Sequence, residues 1–232
     1  MAKILIIGGG FAGLNCALQC AKSNHEIILI DKTNHHLFQP LLYQVATAVL
    51  SPADIAVPIR DILKKHKNIT VILGNVQTIN KKAKKITLKS KKIYEYDYLV
   101  MAIGARHSYF GNDSWEQYAY GLKTISDGLK IREKTLLSFE KAERETDKDK
   151  RQKLINFVIV GGGPTGVELA GSIAEIAYRN LLQNFRNFNP EESRVYLIEA
   201  GPQILPMFSK NLSDKARNYL NNFGVIVRTD EK

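Results

Sequence analysis

Cysteine is nearly absent from this 232-residue chain: Cys16 and Cys20 are the only two. Two thiols do not make a disulfide scaffold, and their spacing matches neither a zinc-ligand pattern nor a Cys-x-x-Cys redox pair. They read as small packing residues on one face of a helix, in a reducing compartment. Long apolar runs are missing as well. Nothing approaches the roughly 20 apolar residues that span a bilayer. Ile4 to Ile7 is halted by glycines and is too short for a signal-peptide core. No zinc pattern, arginine-rich helix or aromatic RNA-binding signature occurs, so neither a metal nor nucleic acid is expected as a partner.

Apolar residues make up 44% and charged residues 24% of the chain, an ordinary globular balance. A chain of this length can bury a core without staples. The formal net charge is +10 and the pI about 9.5, which favours anionic partners such as nucleotides or an acidic membrane surface. Part of the excess gathers from Lys81 to Lys92, KKAKKITLKSKK. One reading is a solvated hairpin whose edge is kept soluble by lysines; the other is attraction to lipid headgroups.

The chain repeats a scheme. Ile4 to Ile7 reads as a buried strand, Phe11 to about Lys22 as a helix, and Ile27 to Ile30 as a second strand ending at Asp31, so the two strands are parallel. Pro40, Pro52 and Pro58 then break a segment expected to hold a short helix or two over the first domain. Ile69 to Leu73, Val76 to Ile79, Lys85 to Leu88 and Ile93 to Tyr94 read as short strands that include an antiparallel meander. Tyr98 to Gly104 returns as a buried strand and glycine turn. Ile125 to Lys141 reads as a helix, and Glu143 to Lys153 as an exposed loop or helix end. Phe157 to Val160 restarts the scheme, with a helical region drawn out through Asn180 to Asn189. A strand at Val195 to Ile198, a helix at Asn211 to Asn222 and a strand at Val225 to Val227 follow.

Each half carries a glycine fingerprint between strand and helix. In Gly8-x-Gly10-x-x-Gly13 the first glycine permits the tight turn, the second lets backbone approach a pyrophosphate, and the third lets helix and sheet pack closely. The helix start offers unpaired N–H groups and partial positive charge to phosphates. Asp31 closes the second strand, where a carboxylate accepts from ribose hydroxyls. Gly161-x-Gly163-x-x-Gly166 repeats this, with Glu199 as the acid. Phe11 and Ala12, and Pro164 and Thr165, complete the two candidate cofactor-binding turns. Both acids would repel a 2′-phosphate, and Ala200 and Gly201 follow Glu199 where an arginine would serve one, so NAD is expected rather than NADP. Two dinucleotide sites most simply mean one flavin and one nicotinamide, and spacing alone does not say which is where. The expected fold class is α/β, with two Rossmann-like, three-layer dinucleotide-binding domains, which the family resemblance given next implies are C-terminally incomplete.

HHLFQPLLYQVATA at His35 to Ala48, VIVGGGPTGVELAGSIAE at Val158 to Glu175 and VYLIEAGPQILPMF at Val195 to Phe208 closely resemble type II NADH:quinone dehydrogenases. The resemblance implies a single-chain peripheral flavoprotein, cytoplasmic and on the inner face of the cell membrane, and a homodimer for the full-length family. It implies hydride transfer from NADH to FAD and then electrons to a quinone, without proton pumping. Residues 1–110 would be the first segment of the FAD domain and 111–232 an incomplete NADH domain. FAD would meet Gly8, Gly10, Gly13, Asp31 and Lys32, with Val76 at the adenine. Ala102 and Gly104 stand in the family's Ala-Thr-Gly turn, where Ile103 is a departure that removes a side-chain hydroxyl. Tyr43 and Gln44 would line the flavin pocket, although Tyr43 serves equally as core.

Glu168 is the candidate catalytic residue, placed by the resemblance beside the nicotinamide; the alternative is an acid complementing the helix start. Leu37 to Ala48 has no cysteine, so electrons are expected to pass from flavin directly to the acceptor. The resemblance further implies a continuation beyond Lys232 that would bring the rest of the FAD domain, most of the quinone pocket and membrane-binding helices. Two other readings therefore stand beside the quinone reductase: a catalytically silent nucleotide-binding fragment or one needing a partner chain, and an NADH oxidase or ferredoxin-reductase relative.

Overall fold

The computed structural model describes residues 1–231. They form two compact units, one from Met1–Phe38 and Pro52–Ser108, the other from Gln39–Ser51 and from Tyr109 onward.

The first unit is built on a parallel sheet of β1 (Lys3–Ile7), β2 (Glu26–Asp31), β5 (Ile69–Leu73) and β9 (Tyr98–Met101), in the order β5-β2-β1-β9. Between β2 and β5 run a two-stranded ribbon, β3 (His35–Leu37) with β4 (Ala56–Pro58), and the short helices α3 (Pro52–Ile55) and α4 (Ile59–Leu63). Strands buried on both faces read as continuous apolar runs, and here alternate residues serve opposite layers. Ile6, Ile27 and Leu29 pack with Leu14 and Ala17 of α1 (Phe11–Cys20) and with Ile59 and Leu63. Leu5, Ile7, Ile28 and Ile30 pack against Ile86, Leu88 and Tyr96 of an antiparallel meander. That meander is β6 (Val76–Asn80), β7 (Lys85–Leu88) and β8 (Ile93–Glu95). Helix, sheet and meander make three layers. Each fully buried leucine or isoleucine contributes about 1.5–3 kcal/mol.

The second unit holds α2 (Leu42–Ala46), α5 (Ile125–Arg144), α6 (Lys148–Leu154), α7 (Pro164–Glu175) and α8 (Lys210–Asn222). Its parallel sheet is β10 (Asn156–Val160), β11 (Arg194–Ile198) and β12 (Val225–Arg228), with Phe157 opposite Val195 and Val195 opposite Val225. Ile159, Val195, Leu197, Val225 and Val227 pack with Ala170, Ile173 and Ala174 of α7 and Leu220 of α8. Helix α5 starts with a capping box: Thr124 Oγ1 accepts from Asp127 N–H and Asp127 Oδ2 accepts from Thr124 N–H. Among the described residues β10 pairs on one side only, and Val158 and Val160 are 58% and 77% exposed.

Three expectations change. Residues 39–51, expected over the first domain, group with the second unit, where Leu42 and Val45 lie against Gly128 of α5. The charged run expected as an exposed loop or helix end holds the end of α5 and then a separate helix, α6, because Asp147 accepts from Asp149 and Lys150 N–H and starts a helix that apolar periodicity does not announce. The helical region drawn out through Asn189 instead ends in a π-turn at Ile176–Asn180 followed by turns. Glu143 there accepts from the N–H groups of Arg186 and Asn187.

Candidate functional site

The first fingerprint turn leaves β1 with Gly8 at φ +104°, and the second leaves β10 with Gly161 at φ +103°. Both conformations favour glycine. A Cβ on Gly13 would run into the Gly8 carbonyl, and one on Gly166 into that of Gly161. Gly10 and Gly163 differ: no protein atom lies within 4 Å of where their Cβ would be. They are the N-caps of α1 and α7, and neither helix has a side-chain cap there. Unsatisfied N–H groups therefore face an open approach, the arrangement that accepts a phosphate. Phe11, Ala12, Pro164 and Thr165 stand exposed on the first turns of the two helices.

Each terminal acid grips its own glycine turn. Asp31 Oδ2 accepts from Gly9 N–H at 2.5 Å, while Oδ1 accepts from Thr33 N–H at 2.6 Å and its hydroxyl at 2.7 Å. Glu199 Oε2 accepts from Gly162 N–H at 2.6 Å and Oε1 from Gly201 N–H at 2.7 Å. A carboxylate offers about four acceptor positions, so both acids retain capacity for a ribose hydroxyl.

The middle glycines make this grip possible. A Cβ on Gly162 would lie 2.9 Å from Ile204 Cγ2 and 3.1 Å from Glu199 Oε2. On Gly9 it would strike Ile59 Cδ1 and lie 3.3 Å from Asp31 Oδ2. The carbonyls are held too: His36 Nδ1 donates to Gly9 at 3.1 Å, and Leu205 N–H donates to Gly162 at 2.6 Å. Phe11 meets the rings of His36 and Phe38 at 5.0 and 5.4 Å. Gly9, Gly162, Thr33 and His36 were not among the residues singled out from sequence, and Gly201 was noted only for not being an arginine. The GlyGlyGly triplet shared by both turns was the available signal for the first two.

Most of the other candidates gather at these turns. Lys32 is exposed beside Asp31. Gly74 N–H donates to the Asp31 carbonyl, which brings the start of β6, and Val76, to the same end of the sheet. Ala102 N–H donates to Ile7, and its carbonyl occupies the space that a Gly8 Cβ would need. Gly104 follows at φ +67°, with open space around it. Gln44 belongs to the second unit and donates to the Tyr43 hydroxyl.

Glu168 is the fifth residue of α7, in its second turn, beyond the first-turn N–H groups that an acid complements. Among the described residues no hydrogen bond or ion pair holds its carboxylate, and partial desolvation raises it above the usual carboxylate value. An open cleft of about 500 Å³, lined by Leu182, Arg186, Phe188 and Glu191, shares no residue with either turn. Among the described residues no cluster of metal ligands occurs, and no helix is long and apolar enough to cross a membrane.

Residues 2–232 match the family model described as Pyridine nucleotide-disulphide oxidoreductase. Two curated relatives are type II NADH:quinone oxidoreductases of Mycobacterium tuberculosis, NdhA and Ndh. They are 47% and 44% identical over 97% of this chain, with 49% and 50% of their own length covered. The chain thus spans about half the length of these relatives. Among solved structures, Plasmodium falciparum NDH2 in complex with NADH aligns with a TM-score of 0.90 at 30% identity, over 98% of this chain and 48% of that one. The sulfide:quinone oxidoreductase of Aquifex aeolicus, at 20% identity and a TM-score of 0.77 over 99% of this chain and 51% of its own, shares the fold.

Proposed function

This chain belongs to the pyridine nucleotide-disulphide oxidoreductase family, and from that premise we propose that it is an NADH dehydrogenase polypeptide delivering electrons through FAD to a membrane quinone. One observation carries the reading: a doubled turn-and-acid grip in a chain 47% identical to a type II NADH:quinone oxidoreductase.

In this reading residues 1–110 serve FAD and residues 111–232 serve NADH. Gly8, Gly10, Phe11, Ala12 and Gly13 would hold the flavin nucleotide's pyrophosphate, and Asp31 with Lys32 its ribose. Val76 would meet the adenine, with Ala102 and Gly104 forming the turn after β9. The bare α1 start and the open space at Gly10 fit that group. Gly161, Gly163, Pro164, Thr165, Gly166 and Glu199 would hold NADH in the same manner.

Bound flavin supplies the two-electron acceptor for NADH and the donor for a quinone. The protein's part is to align and select. Asp31 and Glu199 accept from ribose hydroxyls and repel a 2′-phosphate, which favours NADH over NADPH. Glu168, unpaired on α7, would lie beside the nicotinamide and stabilise the positive charge that grows there as hydride departs. That step needs no protein base. Location on the inner face of the cell membrane, attraction to anionic lipid and homodimer formation belong to the same proposal.

Gly10 and Gly163 give the test, since no protein atom stands where their side chains would grow. Gly10→Val is expected to leave the fold intact and abolish flavin retention, and Gly163→Val to abolish NADH binding while flavin stays. Stoichiometric flavin in Gly10→Val after gel filtration would falsify the assignment. A second reading is a polypeptide that binds nucleotide and is silent without a partner chain. Assays of NADH oxidation with quinone, oxygen and ferredoxin separate the readings. Quinone preference supports the first, and no turnover with retained nucleotide binding supports the second.

A further inference from the structure

Away from both glycine turns, the two cysteines face each other on α1, with Sγ atoms 4.0 Å apart. Both are free and half-buried. Together with Ile4, Ile62, Ile69 and Val100 they pack against the apolar cluster that takes in Leu14, Ala17 and Ile27. Burial, then the neighbouring Cys20 thiol, raises Cys16 above its ordinary value of 9.0, so Cys16 rests as a thiol at neutral pH.

A direct disulfide fits this pair poorly. Side chains four apart on a helix have Cβ atoms about 5–6 Å apart, whereas a disulfide holds them at about 3.5–4.5 Å. A one-atom bridge fits better. With bonds of about 2.3 Å to sulfur, a single bridging atom holds its sulfurs about 3.5 Å apart when pyramidal and about 4.6 Å apart when linear. The observed 4.0 Å lies within that span. Structural zinc would require two further ligands, and no group of three or more His, Cys, Asp or Glu is assembled among the described residues.

We propose that Cys16 and Cys20 form a dithiol site for thiophilic centres that bind two sulfurs, namely trivalent organoarsenicals and the mercuric ion, closing a neutral S–X–S bridge along one turn of α1. An arsenical bearing two hydroxyls gains two As–S bonds and releases two waters, the thiol protons leaving with the hydroxyls. Mercuric ion gains two Hg–S bonds and releases two protons to solvent. No electrons are transferred. A neutral product suits the apolar border, where an anionic one would be penalised.

The test is titration of the reduced full chain with phenylarsine oxide and, separately, mercuric chloride, counting free thiols and intact mass. Both thiols should vanish together at one equivalent. Cys16→Ala or Cys20→Ala should weaken phenylarsine oxide binding at least about 100-fold, and the urea-unfolded chain should bind at least about tenfold more weakly, because only the native helix pre-positions the pair. One-to-one closure by either reagent alone also supports the site and fixes its bridge angle, as linear for mercury or pyramidal for arsenic. Independent reaction of the thiols at two equivalents, or equal affinity in the single-cysteine or unfolded chains, overturns it. Wild-type stoichiometry decides the matter even if the variants fail to fold.

Discussion

Gly162 illustrates how a residue with no ligand of its own can govern a ligand's fit. Adding a methyl there would place it 2.9 Å from Ile204 and against Glu199, forcing the acid away from the turn. Gly162→Ala is expected to weaken NADH binding about tenfold, or about 1.4 kcal/mol, with flavin content unchanged. Titration of NADH against the purified chain checks this, and unchanged affinity would remove the grip from the account. Gly9→Ala should instead lower the flavin-to-protein ratio. Glu168 carries a pH signature. Its native carboxyl is raised above 4.5 by desolvation, so the native state holds that proton more tightly than the unfolded chain. This contribution is fully present below the unfolded value and disappears as pH rises through the raised native one. Glu168→Gln should therefore gain stability relative to wild type between acidic and neutral pH. Urea melts at pH 4 and pH 7 measure it, and a pH-independent difference would contradict the shift. The outer fingerprint glycines and the strand-end acids were legible in the sequence because turn, close approach and ribose contact each restrict the residue to glycine or to a carboxylate. The partners His36, Thr33 and Leu205 were not, since single hydrogen bonds to a turn leave no periodic trace.

Elements with apolar periodicity were legible, and those made by polar capping were not. Helix α5 was read to Lys141 and runs to Arg144, a turn further. Its start rests on the Thr124–Asp127 box, and Thr124→Ala should cost about 1 kcal/mol, lowering Tm by about 2–4 °C for a chain of this size. A thermal melt decides, and an unchanged Tm would mean that packing alone holds the helix start. Helix α6, KDKRQKL, is polar throughout and depends on Asp147. The short α2 lies in HLFQPLLYQVATA, whose apolar residues carry no address; contact with Gly128 assigns it to the second unit. Prolines marked the interruptions correctly without saying what the intervening residues would touch.

At the scale of the whole molecule the two sheets are finished differently. In the first unit β1 has neighbours on both sides and a meander over one face, whereas β10 has one neighbour among the described residues, with Val158 and Val160 bare. Val158→Thr with Val160→Lys should reduce binding of a hydrophobic dye to about half and leave flavin and NADH binding unchanged. Undiminished dye fluorescence would locate the exposed apolar surface elsewhere. The doubled strand–turn–helix–strand plan was legible as a motif repeat, while the repetition of its internal grip was not. In both units a central glycine donates to the acid at the end of the next strand, an isoleucine closes over that glycine, and its carbonyl is held by a residue later in the chain. The two turns are thus built on one plan, in parts that a generic nucleotide turn does not require. What sets the turns apart is their supporting cast: a His36 ring and Thr33 around Asp31 in the first, the Leu205 and Gly201 backbones around Gly162 and Glu199 in the second.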